Sequence, residues 1–177
     1  MSDDAAFQTR AKRLEWLLFD VDGVLNDGRL IFSGEGEQLK TFHVRDGLGF
    51  KIAQARGLKV GILSGRRSPA LQRRVRDLGL DDLTMNRSDK GRAFDEFLRR
   101  VETTADRVAY VGDDLHDLAV LTRCGLSFAP AEADPEVLAR VHRVLEAPGG
   151  RGVAREIVRL VLEARGEWAR VMAKFLP

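Results

Sequence analysis

Four short segments carry side chains suited to phosphorus chemistry. Asp20-Val21-Asp22-Gly23 follows one apolar run and Ser64-Gly65-Arg66 a second. Asp89-Lys90 opens a helical stretch, and Gly112-Asp113-Asp114, with Asp117 close by, follows a further apolar run. If these runs are parallel strands, their carboxyl ends form one crevice, where ligands bind in open α/β sheets. Carboxylates gathered there repel one another, and a divalent cation relieves the repulsion. Hard oxygen ligands with open positions suit Mg2+. A carboxylate beside such a cation and a basic group is placed to attack phosphorus, because phosphoryl transfer needs in-line positioning and neutralised equatorial oxygens. Asp20 is the candidate nucleophile, forming an aspartyl-phosphate. Asp22 is the candidate acid for the leaving alkoxide and base for water. Ser64 and the Gly65 N–H are candidates to hold phosphate oxygens, Lys90 to neutralise them, and Asp113 to complete a metal shell. Singly, such acids are ordinary turn and cap residues; four motifs in this order, each after an apolar run or at a helix start, specify the chemistry.

The elements that position them follow from periodicity. Trp16–Phe19, Leu58–Leu63, Leu83–Met85, Val108–Val111, Leu126–Phe128 and Val141–Leu145 are short apolar runs, as expected of strands covered on both faces. Between them lie helical patterns. One begins near Asp46. Ser68-Pro69 opens another, with Leu71, Val75 and Leu78 on one face and Gly79 as its stop. Ser88–Val101 carries Phe94, Phe97, Leu98 and Val101 on one face, Asp134-Pro135 starts a shorter helix, and Gly152–Ala164 forms the last long one. Alternating strand and helix predicts a parallel sheet in an α/β fold, one domain over residues 1–177. Gly28–Val44 breaks the rhythm: Leu30 and Phe32, then Leu39, Thr41 and His43, alternate around Ser33-Gly34-Glu35-Gly36, the pattern of a β-hairpin inserted after the first strand. Its open edges call for a partner, so it is expected to mediate oligomerisation, with a flap over the site as the alternative. Residues 1–13 are expected to be frayed and disordered. In the tail, 166–177, Trp168, Val171, Met172 and Phe175 form an apolar stripe expected to pack on its own or a neighbouring subunit rather than on a membrane.

Composition excludes other classes. Apolar residues make up 44% and charged residues 32% of 177, the balance of a soluble globular domain with a sizeable core. No apolar run approaches the roughly 18 residues of a membrane span, and the polar start is unlike a signal peptide. A net charge of +2 and a pI near 8.9 are too mild to indicate nucleic acid. The single cysteine, Cys124, excludes an internal disulfide and reads as a buried thiol, consistent with a cytoplasmic protein. His43, His116 and His142 share no metal-ligand spacing; His43 is expected to pack in the hairpin and His142 to lie on a surface strand, while His116 has no evident role. Gly149-Gly150-Arg151-Gly152 reads equally as an anion cradle or a plain loop.

The motifs DVDGVLND, LSGR, the lysine and GDDLHD resemble those of the haloacid dehalogenase superfamily. The hairpin, FHVRDGLGFKIA, VAYVGDDLHDL and APGGRGVARE extend the resemblance to 3-deoxy-D-manno-octulosonate 8-phosphate (KDO-8-phosphate) phosphatases, from about Leu17 to Leu162. The resemblance implies a Rossmann-like sheet without a large cap domain, a role in lipopolysaccharide biosynthesis, and a homotetramer packed through the hairpin, whose neighbouring hairpin and tail help close the site. It maps metal ligands to the Asp20 side chain, the Asp22 backbone carbonyl and Asp113, and phosphate contacts to Ser64, Gly65 and Lys90. Arg45 and Arg66 are candidates for a substrate carboxylate, a planar anion that guanidinium suits, and Arg74 is a further candidate contact. Related nonulosonate 9-phosphate phosphatases tend to carry an acidic residue in place of Arg66, so that residue favours the octulosonate substrate. Asn26 and Ser64 depart from the threonines common in relatives but stay polar. A non-catalytic binding protein of the same fold and a signalling receiver domain are the readings from other classes.

Overall fold

In the computed structural model of the chain, residues 3–34 and 36–176 are described; Glu35, at the expected hairpin turn, lies outside them. Six strands form one parallel sheet: β1 (Trp16–Phe19), β4 (Lys59–Leu63), β5 (Asp82–Thr84), β6 (Val108–Val111), β7 (Leu126–Ala129) and β8 (Arg143–Val144). Their order is β5-β4-β1-β6-β7-β8. The strand order reverses beside β1, so the crevice between the ends of β1 and β6 is the topological switch point. Register brings the ends level, since Phe19 pairs with Ile62 on one side and with Val111 on the other. Asp20, Ser64 and Asp113 therefore meet.

Both faces are covered, which is why the strands read as unbroken apolar runs. Leu17 and Phe19 face a core formed with α2 (Val44–Ala55), α3 (Pro69–Leu78) and α7 (Val153–Ala164), whereas Trp16 and Leu18 face Phe94 and Phe97 of α4 (Lys90–Arg100). Trp16 meets Phe97 edge-on at 5.1 Å. The capping chemistry falls where the sequence places it: Ser68 accepts from the Leu71 N–H, Gly79 ends α3 in a left-handed conformation (φ 58°), and Asp89 accepts from the Arg92 N–H to start α4. For α7 the sequence supplies only Gly152 as cap, and the missing acceptor comes from afar, Asp46 Oδ1 taking the Arg155 N–H at 3.0 Å.

Residues 3–13 are helical rather than disordered; Met1 and Ser2 lie outside the described residues. A helix, α1 (Asp3–Arg13), docks on the sheet with Phe7 edge-on to Phe128 and Ala11 and Leu14 buried. Arg165 donates to the carbonyls of Ala11 and Leu14 at its end. Apolar residues are too sparse in this stretch for periodicity to reveal the contact. Between β1 and α2, strands β2 (Ile31–Ser33) and β3 (Gly36–Leu39) pair antiparallel, shorter than the alternation suggests. His43 is outside that pairing; it caps α2, its Nδ1 accepting from the Arg45 N–H at 3.3 Å. A short helix, α5 (Leu118–Leu121), packs on β6 and β7, another, α6 (Pro135–Leu138), lies against the turn 115–117, and the tail helix α8 (Trp168–Met172) buries Val171 and is pinned by Glu167 to Arg56 at 2.7 Å. No large cap domain is present among the described residues, and among them no helix is long and apolar enough to cross a membrane.

Candidate active site

Asp20 ends β1, its N–H continuing the sheet ladder to the Val111 carbonyl. The chain then turns so tightly that the N–H groups of Val24, Leu25 and Asn26 all point at the Val21 carbonyl. Gly23 permits this turn: its φ is +89°, and a Cβ there would lie 2.0 Å from Asp113 Oδ2. Asn26 ties the loop from inside. Its side-chain oxygen accepts from the Gly23 and Gly28 N–H groups, and its amide donates to Asp22 Oδ1 at 2.7 Å. Lys40, just past β3, forms an ion pair with the same Asp22 oxygen. The glycine loop 149–152 does not cradle an anion at Gly150, whose N–H is given to the Val24 carbonyl; Gly149 lies so close that a Cβ would stand 2.1 Å from the Gly23 oxygen. This loop braces the Asp20 turn.

Lys90, the first residue of α4, is buried, its ammonium 2.8 Å from Asp20 Oδ1 and 2.6 Å from Asp117 Oδ1. Asp117 is fully engaged. Its Oδ1 also accepts the Tyr110 hydroxyl, and its Oδ2 faces the N–H groups of Asp113 and Asp114 at 3.1 and 3.3 Å. Burial pushes the Asp20 carboxyl well above the usual range, Lys90 partly opposing this and Asp117 adding to it. Burial likewise raises Asp113 to about 8, with the charges of Asp20 and Asp117 adding to it. For Lys90, burial alone would lower the ammonium, but the charges of Asp20 and Asp117 outweigh it and leave it above its ordinary value.

Asp20, Asp113 and Asp117 each offer an oxygen within 4.8 Å of the others, the donor set of a hard cation. Since Asp117 is already saturated with donors, Asp20 and Asp113 are the side chains suited to hold the ion. Asp113 Oδ1 is buried without a hydrogen-bond partner among the described residues, which fits an oxygen that ligates a cation. Linkage gives the pH consequence. Because Asp113 rises from 3.8 to about 8, the metal-free folded chain keeps a proton that the unfolded chain has released, so its stability declines as pH rises across that interval. A cation reverses the preference by favouring the ionised form. Thermal unfolding should show a lower metal-free Tm at about pH 8 than at about pH 5, with added Mg2+ raising Tm more at the higher pH. A metal effect equal at both pH values would rule out Asp113 as the coupled group.

The cleft, about 320 Å³, is lined by Asp20, Asp22, Ser64, Gly65, Arg66, Lys90 and Asp113, and in addition by Arg87, Ser88, Asp114, His116 and Asp117. Ser64 Oγ accepts from the Arg66 N–H at 3.3 Å, shaping the turn, and nothing nearer than the Arg87 carbonyl at 3.7 Å would meet a Cβ on Gly65. Two of the predicted substrate contacts are elsewhere in this chain. Arg45 lies exposed at the start of α2, and Arg74 packs over Gly47 into a separate small cavity beside Asp46 and Phe50. Of the unassigned residues, Lys40 had no motif to mark it. Tyr110 did leave a signal, as the only tyrosine of the chain inside an apolar strand, where its hydroxyl needs a buried partner.

Fold and site together define a haloacid dehalogenase-like hydrolase acting on phosphomonoesters, and the profile of that family matches residues 82–157. The chain is 41% identical over 160 residues, 90% of its own length and 89% of the relative's, to the 3-deoxy-D-manno-octulosonate 8-phosphate phosphatase KdsC of Haemophilus influenzae. It belongs to the 3-deoxy-D-manno-octulosonate 8-phosphate phosphatase family. Among solved structures, a probable YrbI family phosphatase from Pseudomonas syringae superposes with a TM-score of 0.94 at 39% identity, covering 98% of each chain. The 3-deoxy-D-manno-octulosonate 8-phosphate phosphatase of Moraxella catarrhalis, in complex with magnesium ion, phosphate ion and KDO, superposes with a TM-score of 0.92 at 30% identity, covering 96% of this chain and 97% of that one. As a phosphatase, the chain is neither a receiver domain nor a non-catalytic relic of the fold.

Proposed function

We propose that the protein hydrolyses KDO-8-phosphate to KDO and phosphate, in the cytoplasm, as a step in lipopolysaccharide biosynthesis. The observation that carries the reading is Asp20, held by Lys90 beside the buried Asp113 oxygen that has no partner among the described residues, in a cleft that Arg66 also lines. Asp20 attacks phosphorus as the bridging P–O bond breaks, and Asp22 gives its proton to the departing sugar oxygen. Asp22 then takes a proton from the water that attacks the aspartyl-phosphate, which releases phosphate and restores Asp20. Ser64, the Gly65 N–H and Lys90 hold the phosphate oxygens throughout. Mg2+, held by Asp20, Asp113 and the Asp22 carbonyl, would supply charge neutralisation for the phosphoryl group. Arg66 is assigned to the substrate carboxylate.

The same reading takes the protein to be a homotetramer joined through the hairpin. Ile31, Phe32 and Leu39 on β2 and β3, with Val44 and Leu48 on α2, are exposed large apolar residues, a surface that a second copy would cover. Arg45 and Arg74, absent from the cleft of one chain, are candidates for a neighbour's site in such an assembly.

Side-by-side kinetics on KDO-8-phosphate and a nonulosonate 9-phosphate test the substrate. The octulosonate should win by about 10²-fold or more in kcat/KM, an advantage that Arg66→Ala reduces at least tenfold, on the scale of a lost charged contact. Preference for the nonulosonate would overturn the assignment while leaving the Asp20 chemistry intact.

A further inference from the structure

Lys40 is out of keeping with its surroundings. It follows β3 directly, and the hairpin residues Phe32 and Leu39 are 62% and 61% exposed, yet the Lys40 side chain is only 3% exposed. A lysine is seldom so buried unless its charge is paired. Its ammonium meets the carboxylate of Asp22, eighteen residues back in the chain. Both Lys40 and the Asn26 amide bind Asp22 Oδ1, so the carboxylate is gripped by one oxygen from two directions, inside the loop and from the hairpin. Oδ2 is then the oxygen Asp22 presents for proton transfer.

We propose that Lys40 is a positioning residue for the reaction, fixing the orientation of Asp22 and thereby tying the hairpin to proton transfer. The inference rests on the reading of Asp22 as acid and base. In the first step the Asp22 carboxyl proton moves to the bridging oxygen as that oxygen leaves phosphorus and Asp20 bonds to it. The alcohol departs neutral, and the carboxylate left behind lies beside the Lys40 ammonium. Lys40 touches neither substrate nor the reacting atoms. Without it, Asn26 is the one side chain among the described residues that holds the Asp22 carboxylate, and a displacement of about 1 Å in such a group can cost about 10²-fold in rate.

Leaving-group dependence isolates this role. For a series of substituted phenyl phosphates, kcat/KM covers the steps through departure of the phenol, and proton donation matters only when that phenol is a weak acid. These substrates also lack the sugar and its carboxylate, so a contact to either is excluded. Lys40→Met is expected to lose about 10- to 100-fold on unsubstituted phenyl phosphate, within the range for a misplaced general acid, and less than about threefold on p-nitrophenyl phosphate. Lys40→Gln, which keeps an N–H donor, should fall between wild type and Lys40→Met, with fold retention checked by circular dichroism. An equal loss across the series, or none, overturns the proposal. Asp22→Asn, measured in parallel, separates the two ideas. If Asp22→Asn shows the leaving-group effect and neither Lys40 variant does, only the positioning role fails. If Asp22→Asn shows none, the acid role of Asp22 fails and the proposal with it.

Discussion

Asp20→Asn is expected to lower phosphate release by about 10⁴-fold or more while the protein stays folded, as removal of a covalent nucleophile does elsewhere. The substitution keeps the shape of a side chain buried to 6% exposure, and the neutral amide cannot make the attack on phosphorus proposed for the carboxylate. It also removes a charge whose burial is unfavourable, since desolvation drives the Asp20 carboxyl upward. The Tm should therefore fall little. Steady-state release with excess Mg2+, read beside a melting curve, checks both halves, and residual turnover above about 1% of wild type would exclude Asp20 as nucleophile.

Lys90→Met should damage activity and stability together. The ammonium sits between Asp20 and Asp117 at 2.8 and 2.6 Å, and its loss leaves two carboxylates facing each other in a site almost closed to solvent. Breaking a buried ionic group in this way costs on the order of 3–5 kcal/mol. For a chain of this size that corresponds to a Tm lower by roughly 10 °C. The raised Lys90 pKa means the ammonium's contribution is present below its ordinary value of 10.5 and is lost only as pH climbs past the raised folded value, so the deficit should persist across the neutral range. With Lys90 in the proposed role of neutralising phosphate oxygens, its loss should lower kcat by about 10²–10³-fold. Lys174→Met, at an exposed lysine of the tail, is the control and should change stability by less than about 0.5 kcal/mol. A Lys90→Met protein as stable as that control would contradict the buried network.

Strand-end residues were legible because the sheet is parallel and its register tight. Trp16–Phe19, Leu58–Leu63 and Val108–Val111 are legible as strands, and their adjacency in the sheet makes Asp20, Ser64 and Asp113 share one edge. Local cap chemistry exposed α3, and an apolar face exposed α4. Long-range contacts left no such trace. The docking of α1 depends on Phe7 meeting Phe128, and the cap of α7 on Asp46, 109 residues away from Arg155. Lys40 is one charge in an alternating stretch of sequence, and nothing in periodicity aims it at Asp22. Arg45 and Arg74 followed from charge and resemblance alone, and helix geometry carries them away from the cleft of their own chain. Asp117 was visible beside its motif, but only the structure gives its donors: Tyr110, Lys90 and two backbone amides. That set makes it the organiser of the site, a role its place beside the motif does not announce.

The most direct test of the central claim is acid-quenched mass spectrometry of the protein during turnover of KDO-8-phosphate. The account predicts a transient, base-labile phosphoryl group on the peptide containing Asp20, absent from Asp20→Asn. Rapid turnover with no covalent phosphate at any time point, or phosphate on another residue, would contradict it.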